Sequence, residues 1–255
     1  MNDQPLKVSR RDGVQVIVID RPEARNAVNL QVAEGIAAAL DELDSDGELR
    51  VGVLTGEGGN FSAGMDLKAF ARGEAPYVAD RGFAGIAQRS ADKPLIAAIE
   101  GNALAGGLEI ALACDLIVAS EESRLGIPEA KRGLVAAGGA LTRLPKRIPY
   151  HLAMELALTG EPISAARAAE IGLVNRLAPA GGALDAALEI AGAIARNGPL
   201  AVDASKRIIR GALDWSEQEA WDKQQEFAGP VFGSQDAQEG ARAFAEKRDP
   251  AWTGR

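Results

Sequence analysis

The stretch GNALAGGLEIALACD, residues 101–115, sets the question that decides the fold. Gly106 and Gly107 leave the backbone bare, as a close approach requires. The run that follows is almost wholly apolar, yet Glu109 stands inside it. An ionised carboxylate in such a place is costly unless it is paired. Two readings stand. If a helix begins near Gly106, Glu109 falls in its first turn, where amides and the helix dipole favour a carboxylate. The N-cap candidates there are Ala105 and Gly106, neither with a hydroxyl, so a reciprocal capping box is absent. The other reading makes Glu109 a general acid or base at the edge of a dry cleft.

Working outward, residues 93–101 (KPLIAAIEG) and 115–120 (DLIVAS) read as strands on either side of a short buried helix at 107–114. Upstream, VQVIVID (14–20) is a β-branched strand, and residues 30–46 carry apolar positions at helical spacing. VGVLTGEGGNFSAG (51–64) is a strand that runs into a Gly-rich loop. Residues 72–91 carry weak helical signals. From Met154 onward the pattern is mostly helical, with Ser164 as an N-cap and Gly172 as a C′ residue. Breaks are expected at Gly198-Pro199, Gly211 and Gly229-Pro230. Strand, loop and helix recur along the first part without an alignable repeat.

Composition narrows the function. The chain has 255 residues, 47% hydrophobic and 25% charged, which fits a globular protein with a sizeable core. Net charge is −8, and no basic stripe exceeds PKRIP (145–149) or SKRIIR (205–210), so nucleic acid is not an expected partner. Cys114 is the only cysteine and His151 the only histidine. That removes a disulfide framework and a Cys-rich metal site, and it argues against Ser-His-Asp or Cys-His chemistry. MNDQPLKVSRRDG has no apolar leader core, and no run of 18 apolar residues follows, so no membrane is expected and the cytoplasm is the default compartment. Six of the eleven aromatics lie at 215–252, namely Trp215, Trp221, Phe227, Phe232, Phe244 and Trp252. Such rings form a contact surface, on the parent domain or on another subunit.

Two small-residue turns could do chemistry: FSAGMDL (61–67) and AGGLE (105–109). Each follows a strand and leads into a helix, leaving backbone N–H groups outward. Each is an ordinary helix start, or the two converge to grip a developing oxyanion. Twenty residues after Glu109 comes Glu129, in GIPEAKRG (126–133). Two carboxylates near an oxyanion site point to addition or elimination of water. GEGGNF lacks the third Gly of a dinucleotide fingerprint, no Walker loop occurs, and no His/Asp/Glu cluster has metal spacing.

RPEARNAVN, GGNFSAGMDL, KPLIAAIEGNALAGGLEIALACDLIVAS, LGIPEAKRGL, LTGEPISAARAAEIGLVNRL and DAQEGARAFAEKR, in this order, resemble the crotonase superfamily, specifically enoyl-CoA hydratases. The resemblance covers nearly the whole chain. It implies an α/β fold, a spiral of ββα units over 1–197 with a C-terminal helical trimerisation region over 198–255. It implies homotrimers, often paired into hexamers, and a coenzyme A thioester as substrate, with no other cofactor and no metal. By motif position, the backbone N–H groups of Met65 and Gly106 form the oxyanion hole, and Glu109 and Glu129 are the catalytic acids. Coenzyme A contacts carry over to Ala24, Ala63, Asp66, Lys68 and Lys247, with Arg25 as a further phosphate partner. The implied activity is reversible addition of water across the 2,3 double bond of a 2-enoyl-CoA. A carnitinyl-CoA-type dehydratase and an enoyl-CoA isomerase are the alternatives within the superfamily. A non-catalytic acyl-CoA-binding protein is the alternative outside enzymology. Two departures from the pattern concern the acyl pocket: Met65 replaces a commoner alanine, and Ala136-Ala137 stand where Pro-Gly is common.

Overall fold

The computed structural model describes residues 5–255. Residues 1–4, the start of the polar N-terminal segment, lie outside them. Strands β1 (Leu6–Arg11) and β2 (Val14–Ile19) form an antiparallel hairpin, with Arg11 opposite Val14. The link is Asp12-Gly13, both at positive φ, which suits a tight hairpin turn. Only β2 is expected from sequence. β1 is LKVSRR and mostly exposed, so no apolar alternation announces it.

Helix α1 (Leu30–Ser45) starts where the Asn29 side chain accepts from Val32 N. Its buried stripe of Val32, Ile36, Leu40 and Leu43 has helical spacing. β3 (Val51–Gly56) follows, then α2 (Leu67–Ala71), capped by Asp66. Residues 72–91 were expected to lean helical. They form instead a small hairpin, β4 (Tyr77–Val78) with β5 (Gly82–Phe83), followed by buried Ala84, Ile86 and Ala87. Tertiary burial overrides local propensity there, and the Tyr77 and Phe83 rings meet edge-on at 5.8 Å.

The spiral then shows itself. β6 (Leu95–Ile99) is followed by β7 (Asn102–Leu104) and α3 (Gly106–Ala113), and β8 (Leu116–Ser120) by β9 (Arg124–Gly126). A 3-10 helix (Pro128–Arg132), α4 (Ala140–Arg147), α5 (Tyr150–Thr159), β10 (Ile163–Ser164), α6 (Ala165–Glu170) and β11 (Arg176–Ala178) complete the turns. The long strands make one sheet in the order β1-β2-β3-β6-β8-β11, parallel from β2 onward. The short strands make a second sheet, β10-β9-β7. The later turns of the spiral therefore leave a strand in each sheet, β6 with β7, β8 with β9 and β11 with β10. Every residue of α3 is buried, Glu109 included. β10 and β11 interrupt the stretch expected to be helical. Each has three residues or fewer, too short for a periodic signal.

Ser164 caps α6 by accepting from Arg167 N, and Gly172 follows that helix at φ +81°. The last helices are α7 (Ala183–Ala195), α8 (Pro199–Ala212), α9 (Glu217–Phe232) and α10 (Gln235–Glu246). Gly229-Pro230 does not break α9. Pro230 sits in its last turn, and the helix ends two residues later at Phe232. The chain divides into two compact units, the first ending at Ala191 and the second spanning Gly192–Arg255. Within the second, Trp215 and Phe227 stack at 6.4 Å and Trp252 Nε1 donates to Arg196 O. Phe232 and Phe244 stand 81% and 87% exposed.

Candidate active site

Two turns meet at the mouth of the α3 layer. The first is tied to the loop after β2. Ala63 N donates to Arg25 O, Val28 N to Gly64 O and Asp66 N to Val28 O. Asn26, fully buried at φ +54°, donates through Nδ2 to Glu57 O and Asn60 O and accepts from Arg21 N. Asp66 closes the turn from below. Its Oδ2 accepts from Arg21 at 2.9 Å, and its Oδ1 from Lys68 N and Ala69 N. Burial pushes this carboxyl up, but the Ala69 amide and the Arg21 guanidinium outweigh that and hold it low.

The second turn is Leu104–Gly107. Ala105 adopts φ +52° and ψ −127°, a conformation that costs a non-glycine residue of order 1–3 kcal/mol. Ala105 N donates to Gly126 O, and Ala105 O accepts from Leu108 N and Glu109 N. Ala105 is the N-cap of α3 without a side-chain cap. Among the described residues, neither Met65 N nor Gly106 N meets a protein acceptor. The turns nearly touch: a Cβ built on Gly64 would lie 2.6 Å from Gly106 N. Met65 and Gly106 line the same cavity of about 160 Å³.

Glu109 and Glu129 line that cavity too. Glu109 is 5% exposed. The partners that fix its carboxylate come from the turn before α4, not from the first turn of α3. Ala140 N donates to its Oε1 at 3.2 Å, and the Gly138 amide also donates to it. Burial pushes Glu109 up to about 7. The nearby Glu129 adds to this, while the two amides and Arg143 oppose it. Burial also raises Glu129. Its Oε2 is buried and has no hydrogen-bond partner in the protein. A charge on Glu129 thus disfavours a charge on Glu109, and burial disfavours both. The arrangement offers one fixed carboxyl, one with a spare oxygen, and two N–H groups without a protein acceptor on residues that line the same cavity.

Among the proposed coenzyme A contacts, Ala63 lines the cavity. Ala24 and Arg25 end a 3-10 helix (Pro22–Ala24) whose C-cap is Arg25, linked to Ala63 by the bond above. Arg25 and Lys68 are exposed cations without ion pairs among the described residues. The Asp66 carboxylate is taken up by Arg21 and two amides, so it shapes the turn. Lys247 belongs to the second unit, as the left-handed C-cap of α10. Ala136 faces a separate hollow of about 500 Å³, which shares Tyr77, Phe83, Ala137 and Gly138 with the cavity.

A family model described as enoyl-CoA hydratase/isomerase matches residues 9–255. The chain belongs to the enoyl-CoA hydratase/isomerase family. A solved enoyl-CoA hydratase from Mycobacterium marinum is 57% identical, covers 99% of this chain and 100% of its own, and superposes at a TM-score of 0.98. A curated enoyl-CoA hydratase of Mycobacterium tuberculosis is 45% identical over 97% of this chain and 96% of that protein. A carnitinyl-CoA dehydratase of Proteus mirabilis is 40% identical over 99% of both. The α/β spiral expected of the family is the fold observed.

Several residues in this enoyl-CoA hydratase/isomerase site are missed by sequence reasoning. Gly138 and Ala140 are noticed only as neighbours of Ala136-Ala137, yet their amides hold Glu109. Tyr77 and Phe83 form one cavity wall; two of the few aromatics before residue 100, they offered a usable signal. Arg132 lines the cavity one turn after Glu129. Arg21 pairs with Asp66 across 45 positions, a separation that no local pattern reports. Among the described residues, no cluster of three or more His, Cys, Asp or Glu is placed to hold a metal ion, and no helix is long and apolar enough to cross a membrane.

Proposed function

We propose that this enzyme is an enoyl-CoA hydratase, a hydro-lyase that adds water reversibly across the 2,3 double bond of a 2-enoyl-CoA. One observation carries the reading: Glu109 and Glu129 share a cavity with two main-chain N–H groups that have no protein acceptor. The thioester oxygen sits between the amides of Met65 and Gly106. Water is held between the carboxyls. Glu109, fixed by Gly138 and Ala140, takes a proton from the water as its oxygen bonds to C3. The C2=C3 π electrons move onto the thioester as an enolate, whose charge the two amides stabilise. Glu129, protonated, gives its proton to C2, and the enolate collapses to the 3-hydroxyacyl thioester. Removing one oxyanion donor typically costs roughly 3 kcal/mol of barrier.

Coenzyme A enters as part of the substrate, with no further cofactor. Arg25 and Lys68 meet its phosphates, Ala24 and Ala63 its adenine loops, and Lys247 a neighbouring subunit's ligand. The assembly is a homotrimer or a pair of trimers built through residues 198–255. The bare rings of Phe232 and Phe244 support such a surface. The compartment is the cytoplasm.

A carnitinyl-CoA-type dehydratase is the second reading, favoured by the 40% relative and by the Tyr77–Phe83 pair, since aromatic faces attract a quaternary ammonium. The test is hydration of crotonyl-CoA by the wild type and by Glu109→Gln and Glu129→Gln, with a carnitinyl-CoA arm. Loss of at least about 100-fold in each folded variant is expected. Near-normal rates in either would end the assignment.

A further inference from the structure

The 3-10 helix Pro128–Arg132 carries more than Glu129. In such a helix, residues three apart eclipse, so Glu129 and Arg132 project from the same side. Both line the cavity. At that spacing an Arg and a Glu commonly pair. Here they do not: Arg132 makes no hydrogen bond or ion pair among the described residues. Its neighbour Lys131 is committed outward, to Glu161 at 2.6 Å. Among the described residues, Arg132 is thus the one cation in a lining otherwise composed of Glu109, Glu129 and apolar or small groups, Tyr77 apart. Leu134 and Val135, next along the chain, are exposed and apolar, so neither offers the guanidinium a partner.

Arg132 is exposed at the cavity edge with no protein partner among the described residues, and its five N–H donors match a carboxylate fork. Of the two acids in the lining, Glu109 is held by the Gly138 and Ala140 amides, and Glu129, whose Oε2 has no protein partner, makes no bond to Arg132. The phosphates of coenzyme A are assigned above to Arg25, which ends the 3-10 helix Pro22–Ala24, and Lys68, in α2. The acyl chain is left. We propose that Arg132 is a specificity-determining residue that selects 2-enoyl thioesters whose acyl chain carries a carboxylate, or a comparable anionic group, beyond the double bond. This deepens the hydratase reading and rests on it. The same cation disfavours a carnitinyl group, whose fixed positive charge it would repel.

Binding of saturated acyl-CoA thioesters, which lack the double bond and cannot turn over, separates this proposal from the reaction. Calorimetry would compare a methyl-terminated chain with a carboxylate-terminated chain of equal length, using the wild type, Arg132→Leu and Arg132→Lys. The wild type is expected to prefer the carboxylate ligand by about tenfold or more. Leu should abolish that preference, and Lys should keep part of it. The same pairs presented as pantetheine thioesters, which lack the nucleotide phosphates, should give the same preference. No preference in the wild type overturns the proposal. So does an equal loss for both ligands in Arg132→Leu, or a preference that vanishes with the nucleotide. A selective binder that hydrates no enoyl thioester would instead refute the hydratase reading and leave Arg132 as an anion site.

Discussion

Gly138 stands against the Glu109 carboxylate so closely that a Cβ on it would lie 2.8 Å from Glu109 Cδ and overlap Oε2. The glycine therefore does two things. Its amide donates to Glu109, and its missing side chain leaves the carboxyl room. The backbone of the turn cannot retreat freely, because Ala140 begins α4 and donates to the same carboxylate.

Gly138→Ala should accordingly fold and lose activity. A displacement of about 1 Å at a reacting group costs on the order of 100-fold in rate. Crotonyl-CoA hydration, measured beside a melting curve, checks this. A folded variant with wild-type kcat would show that the position of Glu109 does not matter.

Glu109 also predicts how stability varies with pH. Its carboxyl is raised to about 7 in the folded state, chiefly by burial, from an ordinary 4.5. Between those values the unfolded chain has released its proton while the folded chain keeps it. The unfolded state therefore binds fewer protons there, and stability falls as pH rises through that window. The full loss, on the order of 3 kcal/mol, is reached above about pH 7. Glu109→Gln removes the burden, so its melting temperature should exceed that of wild type by more at pH 8 than at pH 5. Equal differences at both pH values would contradict the raised carboxyl. The variant would be more stable and inactive, as expected where a site is held at a cost.

The Arg21–Asp66 pair makes the opposite pH prediction. Both side chains are under one-fifth exposed. Removing one partner from such a pair leaves a buried charge and costs about 3 kcal/mol. Asp66 is held below its ordinary range, so its contribution is present above about pH 4 and disappears as pH falls through the lower folded value. Asp66→Asn should thus be clearly less stable than wild type at pH 7 in urea melts, with the gap closing toward pH 3. It should also lower kcat, because Asp66 anchors the turn that presents Met65 N. A gap independent of pH would mean that the side chain acts by packing alone.

What the sequence shows of this molecule follows range of interaction. Glu109, Glu129 and the two turns are legible because a carboxylate in an apolar run and small residues after a strand are local anomalies. The core of α1, with Val32, Ile36, Leu40 and Leu43 on one face, is legible for the same reason. The partners of Glu109 are not, since Ala140 lies 31 positions away and contributes only an amide that any residue has. β11 escapes because Arg176–Ala178 becomes a strand only by pairing in parallel with Val118–Ser120 of β8. The β4–β5 hairpin escapes because burial of Phe83, Ala84 and Ile86, rather than propensity, determines it.

The convergence of the two turns gives a last prediction. Gly64 sits at φ +85°, where a side chain is strained by roughly 1–2 kcal/mol. A Cβ there would also lie 2.6 Å from Gly106 N and 3.2 Å from the Ala105 Cβ. Both neighbours belong to the second turn, and neither is a flexible side-chain end. Ala105, already strained, cannot give way cheaply. Gly64→Ala should therefore push the Met65 and Gly106 amides apart, lower stability by about 2 kcal/mol, and cut kcat roughly 100- to 1,000-fold, as loss of one oxyanion donor does. KM should change far less, since the amides matter most once charge has built on the thioester oxygen. A stable Gly64→Ala enzyme whose KM rises while kcat holds would place the oxyanion contacts elsewhere.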